Sequence, residues 1–269
     1  MRAVDIVSRY SSEISKREVE EIMLSILNLK CRSELYMAEV ENFPLSEMDY
    51  FLSQRKRGIP LQYLTSNVNF YGFDFNVEEG VFIPRPETEV IVDYIAKEYF
   101  GYKNLKILEI GTGTGVIAIC LTKLFSDCKI VATDISPTAI RVASENAVLN
   151  GSISNVLFVK GDSVGFIKKE GFFDLLVSNP PYIAFSQEGV LSPEVKKEPR
   201  EALFGGENGY EFTLKLIVEA SAVIKKGGRM VIEIDPEHRF IYERELGGAE
   251  KLEFIEDLEH KERVMVIGF

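Results

Sequence analysis

A parallel α/β sheet behind a small helical unit is the fold class this sequence predicts, and three observations carry it. From about residue 104 onward, short apolar runs alternate with helix-length segments, the pattern of strand, crossover and parallel strand. Residues 1 to about 58 instead space their apolar side chains at helical intervals. Between the two lies an aromatic and β-branched stretch punctuated by Gly72 and Gly80, which reads as strands or a hairpin. With 269 residues, 46% of them hydrophobic, the chain can fill one large core and a smaller companion.

The elements follow in order. "SKREVEEIMLSILNLK" sets Val19, Ile22, Met23, Ile26 and Leu27 on one stripe, and "SEMDYFLSQRKRG" reads as a helix opening at Ser46 and closing at Gly58. Arg55-Lys56-Arg57, the densest basic run, reads as the solvated end of that helix. Strands are expected at 106–110 (KILEI), 129–133 (KIVAT), 156–160 (VLFVK) and 174–178 (DLLVS), with helices between the first three. Ser136 and Pro137 supply an N-cap and a first-turn proline, and Gly151 the stop. "YEFTLKLIVEASAVIKKGG" (210–228) reads as a helix ending in two lysines and two glycines, ahead of a strand "RMVIEI". The expected division is a helical domain at 1–65, a hairpin connector at 66–83 and a sheet domain at 84–269.

Composition excludes several function classes. Lys and Arg number 31 against 42 Asp and Glu, a net charge of −11, so no basic surface for displacing DNA counterions is evident. Three cysteines, Cys31, Cys120 and Cys128, have no CxxC spacing, which argues against a disulfide framework or a zinc site. The opening residues lack a long apolar core and no run approaches the ~18 apolar residues of a membrane span, so a cytoplasmic protein is expected. Two histidines, His238 and His260, make histidine triads and histidine-rich metal centres improbable.

The chemistry concentrates at strand ends. "EIGTGTG" brings Gly111, Thr112, Gly113, Thr114 and Gly115 to the turn after the first sheet strand, where parallel sheets bind ligands. It lacks the third glycine of GxGxxG and the GK[ST] of a phosphate loop, and by itself it reads equally as a tight turn. Asp134, ending the second strand, is placed to accept from ribose hydroxyls; Asp162 and Ser163, after the third, suit an adenine edge, although Asp162 alone reads equally as a loop aspartate. Glycine loop, ribose acid and third-strand acid without a phosphate signature point to S-adenosylmethionine.

"SNPPYI" ends the fourth strand. Asn179 is held out of helical geometry by the following proline, while Pro180 and Pro181 have fixed φ and no N–H. The Asn179 side-chain oxygen and the Pro180 carbonyl then form a rigid pair of acceptors, with the Tyr182 ring able to lie on a planar group. Such a pair accepts a conjugated –NH2 and rejects a carboxylate, since unpaired buried polar groups are heavily penalised.

These motifs resemble the HemK/PrmC-type family of peptide chain release factor glutamine methyltransferases. The likeness covers most of the chain: "GIPLQYL" (58–64), "FYGFDFNVEEGVFIPRPETE" (70–89), "ILEIGTGTGVIAICL" (107–121), "SNPPYI" (178–183) and "EPREALFGGENGY" (198–210). It implies a Rossmann-like, seven-stranded, mostly parallel class I methyltransferase domain at 84–269. The helical domain at 1–65 would help hold a class I release factor, and the reaction would be N5-methylation of its GGQ glutamine. It further implies that Gly111 to Gly115, Asp134, Asp162 or Ser163, and Asn179 contact S-adenosylmethionine, and that Asn179, Pro180, Pro181 and Tyr182 hold the glutamine. Arg85 and Glu87 read equally as a structural ion pair or helix start and as substrate contacts. The chain departs from the family pattern at Thr65-Ser66, where a glycine is usual, and at "EIDPEH" (233–238). The rival readings are an N6-adenine or N4-cytosine nucleic-acid methyltransferase, disfavoured by the acidic balance, and a non-catalytic S-adenosylmethionine-binding protein, disfavoured by the complete "NPPY".

Overall fold

A computed structural model describes residues 2–41, 43–162, 164, 165, 167 and 170–269. The chain forms two compact units, Met1–Asn67 with Ser192–Lys197, and Val68–Leu191 with Glu198–Phe269.

The first unit contains α1 (Ala3–Tyr10), α2 (Lys16–Ile26), α3 (Arg32–Met37), α4 (Leu45–Lys56) and α5 (Leu61–Thr65). Ser15 opens α2 with a reciprocal capping box: its Oγ accepts from Glu18 N at 3.2 Å, and Glu18 Oε2 accepts from Ser15 N at 3.2 Å. The expected stripe is real, with Val19, Ile22 and Met23 buried against Ile6, Leu35 and Met48 while Ile26 and Leu27 flank that core. Helix α4 begins one residue before Ser46, directly after Pro44.

Arg55 departs from expectation. Its side chain is only 9% exposed and pairs with both Glu18 and Glu194, the latter at 2.8 Å, whereas Lys56 and Arg57 are exposed at the helix end as expected. That pairing explains why Ser192–Lys197 joins the helical unit. The unit's last turn places Ser66 in the left-handed region, φ 54°, where glycine would avoid a Cβ clash.

The second unit opens with β1 (Asn67–Phe70) and β2 (Phe73–Asn76), joined through Tyr71 and Gly72 at φ 51° and 78°, the positive pair of a type I′ turn. Phe70 and Phe75 enter the main core, and Asn146 bonds both backbone groups of Asn76, accepting at 2.7 Å and donating at 2.9 Å. The hairpin therefore packs as part of this unit.

The central sheet is built from β3 (Lys106–Ile110), β4 (Lys129–Asp134), β5 (Val156–Lys160), β6 (Phe173–Ser178), β9 (Ile224–Glu233), β10 (Lys251–Glu256) and β11 (Glu262–Gly268). Its order is β10-β11-β9-β6-β3-β4-β5, and only β11 runs against its neighbours' common direction. Short strands β7 (Ile183–Ala184) and β8 (Phe204–Gly206) pair in parallel outside it. Alternate residues serve opposite faces: Ile107, Leu175 and Val231 join one core, Leu108, Leu176 and Met230 the other. Helices α6 (Glu89–Glu98), α7 (Val116–Leu124) and α8 (Pro137–Leu149) contribute to the first core, α10 (Glu211–Ala220) and α11 (Arg239–Leu246) to the second, while α9 (Arg200–Leu203) is a short turn before β8.

One element was misread from sequence. Helix α10 stops at Ala220, and Lys225 to Gly228 lie within β9, where the pairing jumps from Phe173–Ile224 to Leu175–Arg229. The Lys-Lys-Gly-Gly run makes a bulge rather than a helix end, with Gly227 at φ 81° supplying the bend.

Candidate active site

Strand order reverses between β3 and β6, so the loops leaving their carboxyl ends diverge and open a crevice. Ser178 ties the two ends together by donating from Oγ to Ile110 O at 2.8 Å. A Cβ on Gly111 would lie 3.9 Å from Asn179 O, which puts the glycine loop and the "NPPY" segment side by side.

The glycine loop is held by its own strand neighbours. Gly111 N and Thr112 N both donate to Thr133 O at 2.9 Å, Gly115 N donates to Thr112 O at 2.8 Å, and Gly113 N donates to Asp134 Oδ2 at 2.9 Å. Gly115 sits at φ 85°, where a side chain is strained, and a Cβ would press on Ala143 Cβ at 3.1 Å. These amides are therefore used internally, and the loop offers no nest of free N–H groups to a phosphate. What it offers is acceptors. Glu109 accepts from Thr112 Oγ1 at 2.7 Å while its Oε1 is buried without a partner. Burial, opposed by Thr112 and reinforced by Asp134, pushes the Glu109 carboxyl up to about 8. Asp134 is raised for the same first reason, burial, although Ser136 N and Gly113 N both donate to it. Two acids whose charged forms burial disfavours and an exposed, Cβ-free Gly111 suit a ligand rich in donors and positive charge, as S-adenosylmethionine is with its ammonium, ribose hydroxyls, amino group and sulfonium.

The other wall is assembled from distant segments. Asn179 donates from Nδ2 to Thr88 Oγ1 at 2.9 Å, which commits the amide nitrogen and leaves Oδ1 as the acceptor. Tyr182 donates its hydroxyl to Glu233 Oε1 at 3.2 Å. Burial, then the charge of Glu233, raises the phenol far above its ordinary range, so it stays a neutral ring. Pro180 is buried, Pro181 and Tyr182 half-buried. The segment Phe204–Tyr210 backs the motif: a Cβ on Gly205 would lie 2.4 Å from Pro181 O, and one on Gly209 2.3 Å from Tyr182 O. Only bare backbone passes there. Among the described residues no group of three or more His, Cys, Asp or Glu could hold a metal, and no helix is long and apolar enough to cross a membrane.

A methyltransferase domain model matches residues 102–259. The release factor glutamine methyltransferase of Dictyoglomus turgidum is 39% identical over 249 residues, covering 89% of this chain and 84% of that protein. That of Thermodesulfovibrio yellowstonii is 32% identical, covering 99% and 98%. This chain belongs to the release factor glutamine methyltransferase family. A crystal structure of a methyltransferase from Pyrococcus furiosus, 23% identical, superimposes with a TM-score of 0.53 over 84% of this chain and 98% of that one, which agrees with the class I fold. As in the family, S-adenosylmethionine is the cofactor.

Among the residues singled out in the sequence, Gly111 to Gly115, Asp134 and Asn179 to Tyr182 all lie at the carboxyl ends of β3, β4 and β6. Asp162 is exposed after β5, and Ser163 lies outside the described residues. Arg85 pairs with the buried Glu198, which also accepts from Ile83 N at 3.0 Å, so its guanidinium serves a structural ion pair; Pro86 starts the turn leading into α6. Thr88, Glu233, Glu198, Gly205 and Gly209 were not found from sequence. The blocks "FYGFDFNVEEGVFIPRPETE" and "EPREALFGGENGY" contain four of them, and "EIDPEH" the fifth, without showing what each touches.

Proposed function

We infer that this chain methylates the side-chain N5 nitrogen of the glutamine in the GGQ motif of class I peptide chain release factors. The observation that carries the reading is the orientation of Asn179: its NH2 is anchored on Thr88, so the face it can turn to a substrate is an acceptor. A primary amide has two N–H hydrogens to give to the Asn179 oxygen and the Pro180 carbonyl, whereas a glutamate carboxylate has none. In this reading Gly111, Thr112, Gly113, Thr114, Gly115, Asp134, Asp162, Ser163 and Asn179 hold the cofactor, and Ile135, 57% exposed beside Asp134, offers apolar cover for a base.

Bound S-adenosylmethionine supplies an electrophilic methyl: the nitrogen–carbon bond forms as the carbon–sulfur bond breaks, with its electron pair left on sulfur. The chain's part is alignment. Asn179 and Pro180 hold both amide hydrogens out of the transfer direction, Tyr182 covers the amide plane, and the nitrogen releases its extra proton after transfer. Effective molarities from such positioning supply about 7–11 kcal/mol.

The helical unit at 1–65 would grip the release factor, and the reaction belongs in the cytoplasm with translation termination. The family relatives named above support the substrate. The test offers labelled S-adenosylmethionine and purified protein to a release factor, to its GGQ→GGE variant and to nucleic acid, with mass mapping of the product. Label on the GGQ glutamine alone is expected; label on nucleic acid or on the GGE protein overturns the reading.

A further inference from the structure

We propose that Asn146 is a positioning residue for the cofactor: through its amide the β1–β2 hairpin holds the Thr114 carbonyl, and with it the shape of the glycine loop. Asn146 lies on α8 and is fully buried. Its Nδ2 donates to Thr114 O at 2.9 Å and to Asn76 O at 2.9 Å, and its Oδ1 accepts from Asn76 N at 2.7 Å. Two carbonyls need the NH2 end and one N–H needs the oxygen, so the amide fits only one way round, with both of its hydrogens committed. Asn150 donates to Asp74 O at 3.1 Å and Arg141 pairs with Glu78, so β2 is tied to α8 on either side of Asn146.

The loop's amides are served from the loop itself and the adjoining strand tip, but the Thr114 carbonyl reaches beyond them to α8. The peptide unit joining Thr114 to Gly115 is thereby pinned at both ends, its carbonyl by Asn146 and its N–H by Thr112 O at 2.8 Å. It lies between Gly113, which donates to Asp134, and the start of α7. The Thr114 hydroxyl is buried without a partner and gives no second hold. Loss of the Asn146 amide falls unequally on its partners. Asn76 is exposed, so its backbone groups can turn to water, whereas Thr114 is 1% exposed and its carbonyl has no such recourse. The loop regains a partner only by tilting that peptide, which shifts Gly113 against Asp134, the acid placed for the ribose. Coupling of this kind is reciprocal: a hairpin that steadies the ligand's loop is itself steadied by the ligand.

The experiment reads both directions in the full chain with S-adenosylhomocysteine as the probe, and neither measurement involves the methyl acceptor. By calorimetry, Asn146→Ala should bind it about tenfold more weakly, the scale of one buried carbonyl left unpaired. Asn146→Asp should bind more weakly still, since a carboxyl has at most one hydrogen for the two carbonyls. Asn150→Ala loosens the same hairpin without touching Thr114, and its affinity should stay within about twofold of wild type. By hydrogen exchange, the ligand should slow the Asn76 amide of the wild-type protein at least about threefold more than the amides of β10 at the far edge of the sheet, and Asn146→Ala should abolish that difference while Asn150→Ala keeps it. Wild-type affinity in Asn146→Ala, an equal loss in Asn150→Ala, or an Asn76 amide that responds to the ligand no more than β10 does overturns the inference. The last of these is read on the wild-type protein and decides the matter if the variants do not fold.

Discussion

The two walls of the crevice are built in opposite ways. The glycine loop after β3 is local: its amides bond Thr112, Thr133 and Asp134, residues of the same loop or the adjoining strand tip. The "NPPY" wall is set from afar, with Asn179 bonded to a partner 91 residues away and Tyr182 to one 51 residues away. A local loop tolerates change elsewhere in the fold, while the far wall depends on three segments meeting at once. Damage to the first should weaken cofactor binding, and damage to the second should slow transfer.

The largest expected effect comes from Asn179→Ala. Removing one acceptor aligned only for the transfer step should cost at least about 100-fold in rate. Cofactor affinity should stay within a few fold, as read by calorimetry beside single-turnover kinetics. Equal losses in both would erase the distinction between the walls.

Gly115→Ala probes the local wall. The new methyl would come within 3.1 Å of Ala143 and force a side chain into φ 85°. Left-handed backbone costs a non-glycine residue about 1–2 kcal/mol, so cofactor affinity should drop about tenfold with the rate at saturating cofactor little changed. A variant with normal affinity and slow transfer would show that the loop serves the reaction rather than the ligand.

The same contrast governs how much could be read in the sequence. Strands β3 to β6 were legible because buried parallel strands are short apolar runs, and the glycine loop because its spacing is contiguous. "NPPY" was legible as a motif, since two prolines at a strand end demand a reason. Thr88 and Glu233 were not, because one reads as a helix-start residue and the other as part of an apolar strand; only their bonds to Asn179 and Tyr182 give either a role. Arg55 was misread for a like reason, its partner Glu194 lying 139 residues on. The Lys-Lys-Gly-Gly bulge shows a different limit: lysines and glycines after a helix mark a stop in sequence terms, and nothing local shows that the chain has already turned into β9.

Each wall also carries one buried carboxyl, and these give the smallest and most diagnostic prediction. Glu109, beneath the loop, is pushed from an ordinary 4.5 up to about 8 by burial, with Asp134 adding to it and Thr112 opposing. Glu233, behind the cup, is pushed up to about 7. In both, the folded state keeps a proton that the unfolded chain releases above 4.5, so their stabilising contribution is complete below that value and is lost as pH rises through the folded value. The melting temperature of the cofactor-free protein should therefore fall between pH 5 and 8. Glu109→Gln should make the decline shallower across that whole range, because only the Glu233 contribution then remains. The methyl donor's positive charge should offset the Glu109 penalty, so its affinity should tighten from pH 6 to 8 in wild type and stay level in Glu109→Gln. A decline unchanged by Glu109→Gln would place the titrating acid elsewhere and leave the local wall electrostatically passive.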